Sequence, residues 1–64
     1  MRVYSTGETP AVGDHVAGTS IDGVDVTGCE VTGVDVHSIS PHPNLKVLKD
    51  GTYKGCVSEN VAKQ

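Results

Sequence analysis

An all-β fold is predicted for this chain, on three observations. Val, Thr, Gly and Asp dominate residues 10–40; the first two favour extended backbone and the last two punctuate it. Apolar residues alternate with polar ones through Gly23–Ser38 and again from Leu45, the two-residue period of a half-buried strand. No window sets apolar residues at i, i+3, i+4 and i+7 with matching caps, so helix signals are nearly absent.

The elements follow in order. Residues 1–9 are polar and read as an N-terminal arm, ordered only if something holds it. Pro10 can begin a strand but not sit in a central one. Ala11 to Gly18 reads as a short turn and first strand, with Val12 and Val16 facing inward, and Gly18–Gly23 as a turn-rich loop. In the next stretch the alternation changes phase twice. Val24 and Val26 occupy even positions, Cys29 and Val31 odd ones, Val34 and Val36 even again. Each change falls at a glycine, Gly28 and then Gly33, as a bulge or tight turn produces. A bent strand over about 24 to 32, a turn near Thr32-Gly33 and a continuation to about Ile39 are expected. Gly-Val-Asp-Val occurs at 23–26 and 33–36, but two copies fall short of a solenoid.

Ser40-Pro41-His42-Pro43-Asn44 is a loop, since its prolines remove ladder donors. Leu45–Lys49 and Thr52–Val57 then form a hairpin around Asp50-Gly51. A three-residue loop, Lys49-Asp50-Gly51, pairs Leu48 with Thr52 and Val47 with Tyr53, and gathers Leu45, Val47, Tyr53 and Val57 on one face. A two-residue turn mixes apolar and charged residues on each face. Burial specifies register more strongly than turn preference, so the three-residue loop is expected. Ser58-Glu59-Asn60 reads as one tight turn before a short last strand anchored by Val61.

The order of these parts resembles SH3-like small barrels of the Tudor, agenet and KOW group. Pro10-Ala-Val-Gly-Asp-His-Val-Ala-Gly18 looks like their Gly-Asp-x-Val first strand, and Asp22-Gly23 with Val26–Val31 like their bent second strand. Leu45–Val57 is similar to their third and fourth strands around an Asp-Gly turn, and Ser58–Val61 to the 3₁₀ step before the fifth. The resemblance spans about residues 10–62 and implies a five-stranded SH3-like barrel over 10–64, preceded by the arm at 1–9. It implies no single function, because such barrels host many. Tudor-type readers surround a cation with aromatic rings, whereas Tyr4 and Tyr53 are the only aromatics here. KOW-type RNA binders carry basic or stacking loops, whereas these loops carry Asp14, Asp22 and Asp25.

At 64 residues there is room for one domain. A domain this small buries only about 60% of its unfolded surface, and this one has no Phe or Trp for its core. Help from a partner surface is therefore expected. The net charge of −3 disfavours general binding of phosphate backbones. That charge is uneven. Residues 1–44 carry Arg2 against six carboxylates, whereas residues 45–64 carry Lys46, Lys49, Lys54 and Lys63 against Asp50 and Glu59. Such a split suits a subunit that docks head to tail, although like charges grouped together are usually a solvated face. No apolar run approaches the ~18 residues of a membrane span, and residues 1–7 contain no apolar core of an export signal. A cytoplasmic or virion setting is expected.

Little in the sequence promises catalysis. His15, Cys29, His37, His42 and Cys56 fall into no spacing that zinc sites reuse, so no metal is expected. Cys29 and Cys56 lie in different strands; with no export signal, free thiols are favoured over a disulfide. Asp35, His37 and Ser38 or Ser40 suggest a triad, but a barrel of this size rarely encloses the cleft and oxyanion hole that one requires. Asp22, Asp25 and Asp35 lack calcium-loop spacing, and no glycine-rich loop opens a helix for phosphate. No cofactor is expected.

The expected function is a non-enzymatic structural or accessory interaction subunit that docks on a larger protein assembly or on copies of itself. A virus-encoded cement or accessory protein is one such form. Arg2, Tyr4, Lys46, Leu48 and Lys54 are the expected contact residues. The alternative is a nucleic-acid-associated SH3-like module using the lysines of the last hairpin, which the net charge disfavours.

Overall fold

The core gathers around one aromatic ring. Tyr4 is buried with Val16, Val26, Val31, Leu45, Val47, Cys56 and Val61, and Cys29 and Val34 pack against the cluster. The computed structural model describes residues 1–64. Its elements are β1 (Val16–Ala17), β2 (Glu30–Val34), β3 (Leu45–Lys49), β4 (Thr52–Cys56), a 3₁₀ turn (Ser58–Asn60) and β5 (Ala62–Lys63). The chain is all-β, as its composition predicts, with two antiparallel sheets ordered β1-β5 and β2-β3-β4. A bridge between His15 and Glu30, and backbone bonds from Gly13 and Val16 to the carbonyls of Val31 and Cys29, fasten one sheet to the other.

The N-terminal segment is held by its own domain. The Tyr4 hydroxyl donates to Asp14 Oδ2 at 2.8 Å, and Ser5 N–H donates to the Val61 carbonyl at 2.9 Å. The Arg2 guanidinium reaches Glu59 at 2.9 Å and Ser38 Oγ at 3.1 Å. The accessible surface of 3712 Å² compares with about 3,900 Å² for a typical folded monomer of this mass. No projecting arm adds to it.

Two phase changes in the sequence have different causes. Gly28 has φ +84°, in a tight turn that leads into β2. At Gly33 the chain does not turn. Val31 pairs with Val47 and Gly33 with Lys46, leaving Thr32 as an extra residue in a β-bulge. The strand then stops at Val34, short of the expected Ile39, because Asp35 folds back on its own backbone. Its Oδ1 accepts the His37 N–H at 3.0 Å, an Asx-type turn, and Val36 and Ile39 are exposed. The first strand is likewise shorter than expected. Asp14 Oδ2 accepts the Ala11 N–H at 2.9 Å, curling that segment and leaving Val12 exposed instead of inward.

The hairpin corrects the expected register. Lys49 pairs with Thr52, Leu48 with Tyr53, Val47 with Lys54, Lys46 with Gly55 and Leu45 with Cys56. The loop is therefore the two residues Asp50-Gly51, both at positive φ (+50° and +78°), as a type I′ turn requires. Cys56 takes the inward place expected of Val57, and Tyr53 points out, 60% exposed. With Tyr4 already filling the core, burial gives no reason to spoil the preferred turn.

Candidate interaction surface

The outer face of β2-β3-β4 follows from this register. Glu30, Leu48 and Tyr53 form one row across the three strands, and Gly33, Lys46 and Gly55 form the next. Two glycines flanking a lysine leave the second row low. A side chain at Gly33 would meet only Lys46 Cβ, at 3.7 Å. The vacant position at Gly55 is roofed by Pro43 and Ile21, which lie 3.4 and 3.6 Å from where a β-carbon would sit. Ile21, Tyr53 and Leu48 are exposed by 61%, 60% and 40%, so an apolar strip borders the depression. Lys46 Nζ lies 5.3 Å from the centre of the Tyr53 ring, within cation–π range.

The depression has a volume of about 470 Å³. A second one, of about 230 Å³, adjoins it and reaches Met1 and Val36. Val34, Asp35 and Asn44 line both.

The uneven charge along the sequence is paired across the fold. Arg2–Glu59 at 2.9 Å, Lys54–Asp22 at 3.0 Å and Lys63–Asp14 at 3.8 Å each join the acidic first part to the basic last part. The Ser20 hydroxyl, then Lys54, hold the Asp22 carboxyl below its ordinary range. Arg2 lowers that of Glu59 to about 2. Lys46 forms no ion pair, and the Asp35 carboxylate on the shared wall forms none either.

Of the contact residues expected from sequence, Lys46 and Leu48 lie on this outer face. Lys54 is on the opposite side of the hairpin, opposite buried Val47, and is engaged by Asp22. Tyr4 is 1% exposed and belongs to the core. The Arg2 side chain is 13% exposed and turned onto Glu59. Tyr53, Ile21 and Pro43 were not among the expected contacts; an Asp-Gly turn taken at its intrinsic two-residue preference would have turned Tyr53 outward.

The other chemistry considered above is dispersed. Asp35 bonds to the backbone of His37, not to its ring, and Ser38 Oγ accepts from Arg2. Cys29 and Cys56 are free thiols; burial pushes that of Cys56 up to about 11. No three His, Cys, Asp or Glu side chains converge as metal ligands. No helix is long and apolar enough to cross a membrane. No protein-family model, curated protein or solved structure matches the chain.

Proposed function

We propose that this chain is a non-enzymatic interaction module, a small SH3-like barrel that docks on a larger protein assembly through the outer face of β2-β3-β4. The barrel reading is supported by the pairing of β1 with β5, the β2-β3-β4 meander and the 3₁₀ turn leading into β5. The observation that carries the docking reading is the exposed Leu48–Tyr53 pair, continued by Ile21 and Pro43 over Gly55. Apolar side chains grouped on one sheet face favour a protein partner, whereas single scattered ones carry no such meaning. The N-terminal segment, engaged within the domain, is left out of the docking surface.

The nucleic-acid reading keeps one observation in its favour, the Lys46–Tyr53 stack on an open sheet. Against it, the hairpin lysines do not form a patch, since Lys46 and Lys54 lie on opposite sides and Asp22 neutralises Lys54.

The test is quantitative affinity capture with three immobilised proteins: wild type, the Leu48→Ser/Tyr53→Ser double variant, and Val12→Ser as an exposed-apolar control elsewhere. Proteins retained by wild type and control but lost from the double variant, with unchanged circular dichroism, are the expected result. Equal retention by all three contradicts the reading, and loss of oligonucleotide binding with rising salt favours the alternative.

A further inference from the structure

The two adjoining depressions carry an arrangement of charge that specifies a ligand. Lys46 stands in the first with its ammonium over Tyr53 and no carboxylate in reach. Asp35 stands on the wall common to both; Arg2 lines the second depression and feels the Asp35 charge, but its guanidinium is paired with Glu59 and lies beyond ion-pair distance of Asp35. Asp35 is two positions beyond Gly33, the cross-strand partner of Lys46, and its N–H bonds to the Asn44 carbonyl at 2.8 Å, keeping it in line with the sheet. In backbone position the two residues are thus offset along the strand by about 7 Å, twice the rise per residue of extended chain. That is also the repeat of side chains on one side of an extended peptide.

We propose that this groove receives an extended polypeptide segment of another protein. The segment carries an acidic side chain opposite Lys46, a basic one two residues away opposite Asp35, and an apolar residue beyond the acidic one against Tyr53 and Leu48. This rests on the reading of the outer face as a protein-docking surface and adds the class of partner. Other occupants fit less well. A nucleic-acid strand brings a phosphate at every nucleotide to a groove with one unpaired lysine and an opposing carboxylate. A second copy brings another net charge of −3.

Gly33 provides a clean block. Its backbone is outside the left-handed region, and an added β-carbon meets Lys46 Cβ at an ordinary 3.7 Å, so the branch point that Gly33→Val adds to the floor is accommodated. The experiment is selection of phage-displayed random dodecapeptides on the whole chain, followed by binding of the enriched synthetic peptides to variants. Enriched sequences are expected to carry an acidic and a basic residue two positions apart beside an apolar one. Lys46→Glu should select a basic residue at the first place and Asp35→Lys an acidic one at the second. Gly33→Val should weaken the wild-type peptides by about tenfold or more with an unchanged melting temperature. No enrichment, or peptides indifferent to all three variants, overturns the proposal. Gly33-dependent binding of a thymidine oligonucleotide in place of peptides, or Gly33-dependent dimerisation, overturns it in favour of those occupants. Peptide failure alongside Leu48/Tyr53-dependent protein capture discards the groove ligand and leaves the docking face standing, whereas failure of both discards both.

Discussion

The hydroxyl of Tyr4 donates to Asp14 Oδ2 at 2.8 Å, and Asp14 Oδ2 also accepts the N–H of Ala11 at 2.9 Å. One carboxylate oxygen thereby ties the N-terminal segment to the curl before β1, while the Tyr4 ring fills the core. This supplies the aromatic bulk that the rest of the core lacks.

Tyr4 is accordingly the side chain on which folding most depends. Tyr4→Phe keeps the ring and removes one hydrogen bond, a loss of about 1 kcal/mol. Tyr4→Ala removes the ring, a loss of about 3–5 kcal/mol. The whole stability of a 64-residue domain is only about 3–10 kcal/mol, so Tyr4→Ala and deletion of residues 1–9 should leave a largely unfolded chain at 37 °C. Urea denaturation checks the series; a deletion as stable as the full chain would show that the core does not need its N-terminal ring.

Gly18 is the backbone position least able to change. Its φ is +142°, and a β-carbon there would lie 2.8 Å from Val61 Cγ1 and 3.3 Å from the Asn60 carbonyl oxygen. Gly18→Ala should destabilise by about 2–4 kcal/mol, combining backbone strain with overpacking of buried Val61. Gly23 shares a positive φ (+83°) but faces open space, so Gly23→Ala should lose only about 1–2 kcal/mol. Thermal melts of the two variants should separate them clearly, and equal melting temperatures would contradict the tight approach of Gly18 to Val61.

Stability should fall on both sides of neutral pH. Arg2 holds Glu59 at about 2, below its ordinary 4.5; the Tyr4 hydroxyl and Ser20 hydroxyl lower Asp14 and Asp22 in the same direction. A carboxyl lowered in the fold stabilises above its unfolded value and loses that contribution as pH falls through the folded one. The acid limb should therefore begin near pH 4.5 and continue towards 2, and Glu59→Gln should flatten part of it. Burial raises Cys56 from 9.0 to about 11 and also raises Tyr4. Their contributions are complete below the unfolded values and are lost as pH rises, so a second decline should start near pH 9. Melting temperatures between pH 2 and 11 check both limbs, and a rise in stability on acidification below pH 4.5 would contradict the carboxylate pairings.

The β class was legible because the Val/Thr alternation and the glycines at its phase changes directly encode strands with interruptions. The 3₁₀ turn at Ser58–Asn60 was legible as a tight turn. Strand ends were not, because they are set by single carboxylates. Asp14 and Asp35 capture nearby backbone N–H groups, which ends the extended runs that the apolar pattern continues. Tyr4 was hidden by its neighbours, since Ser5-Thr6-Gly7-Glu8-Thr9 gives no periodicity to mark an inward residue. The hairpin register failed for a connected reason. Assigning Tyr53 to the core looked favourable only while Tyr4 was counted outside it. The candidate site inherited that error: Lys46 and Leu48 were found from sequence, and the aromatic beside them was placed on the wrong face.

On the proposed reading, this domain folds on its own, closed by its N-terminal segment, and keeps the outer face of β2-β3-β4 free for a different protein. Sedimentation velocity of the purified chain at low and high concentration, with circular dichroism on the same samples, tests that most directly. A folded monomer at every concentration is predicted. Folding that appears only with self-association would contradict it and make the outer face an interface between copies.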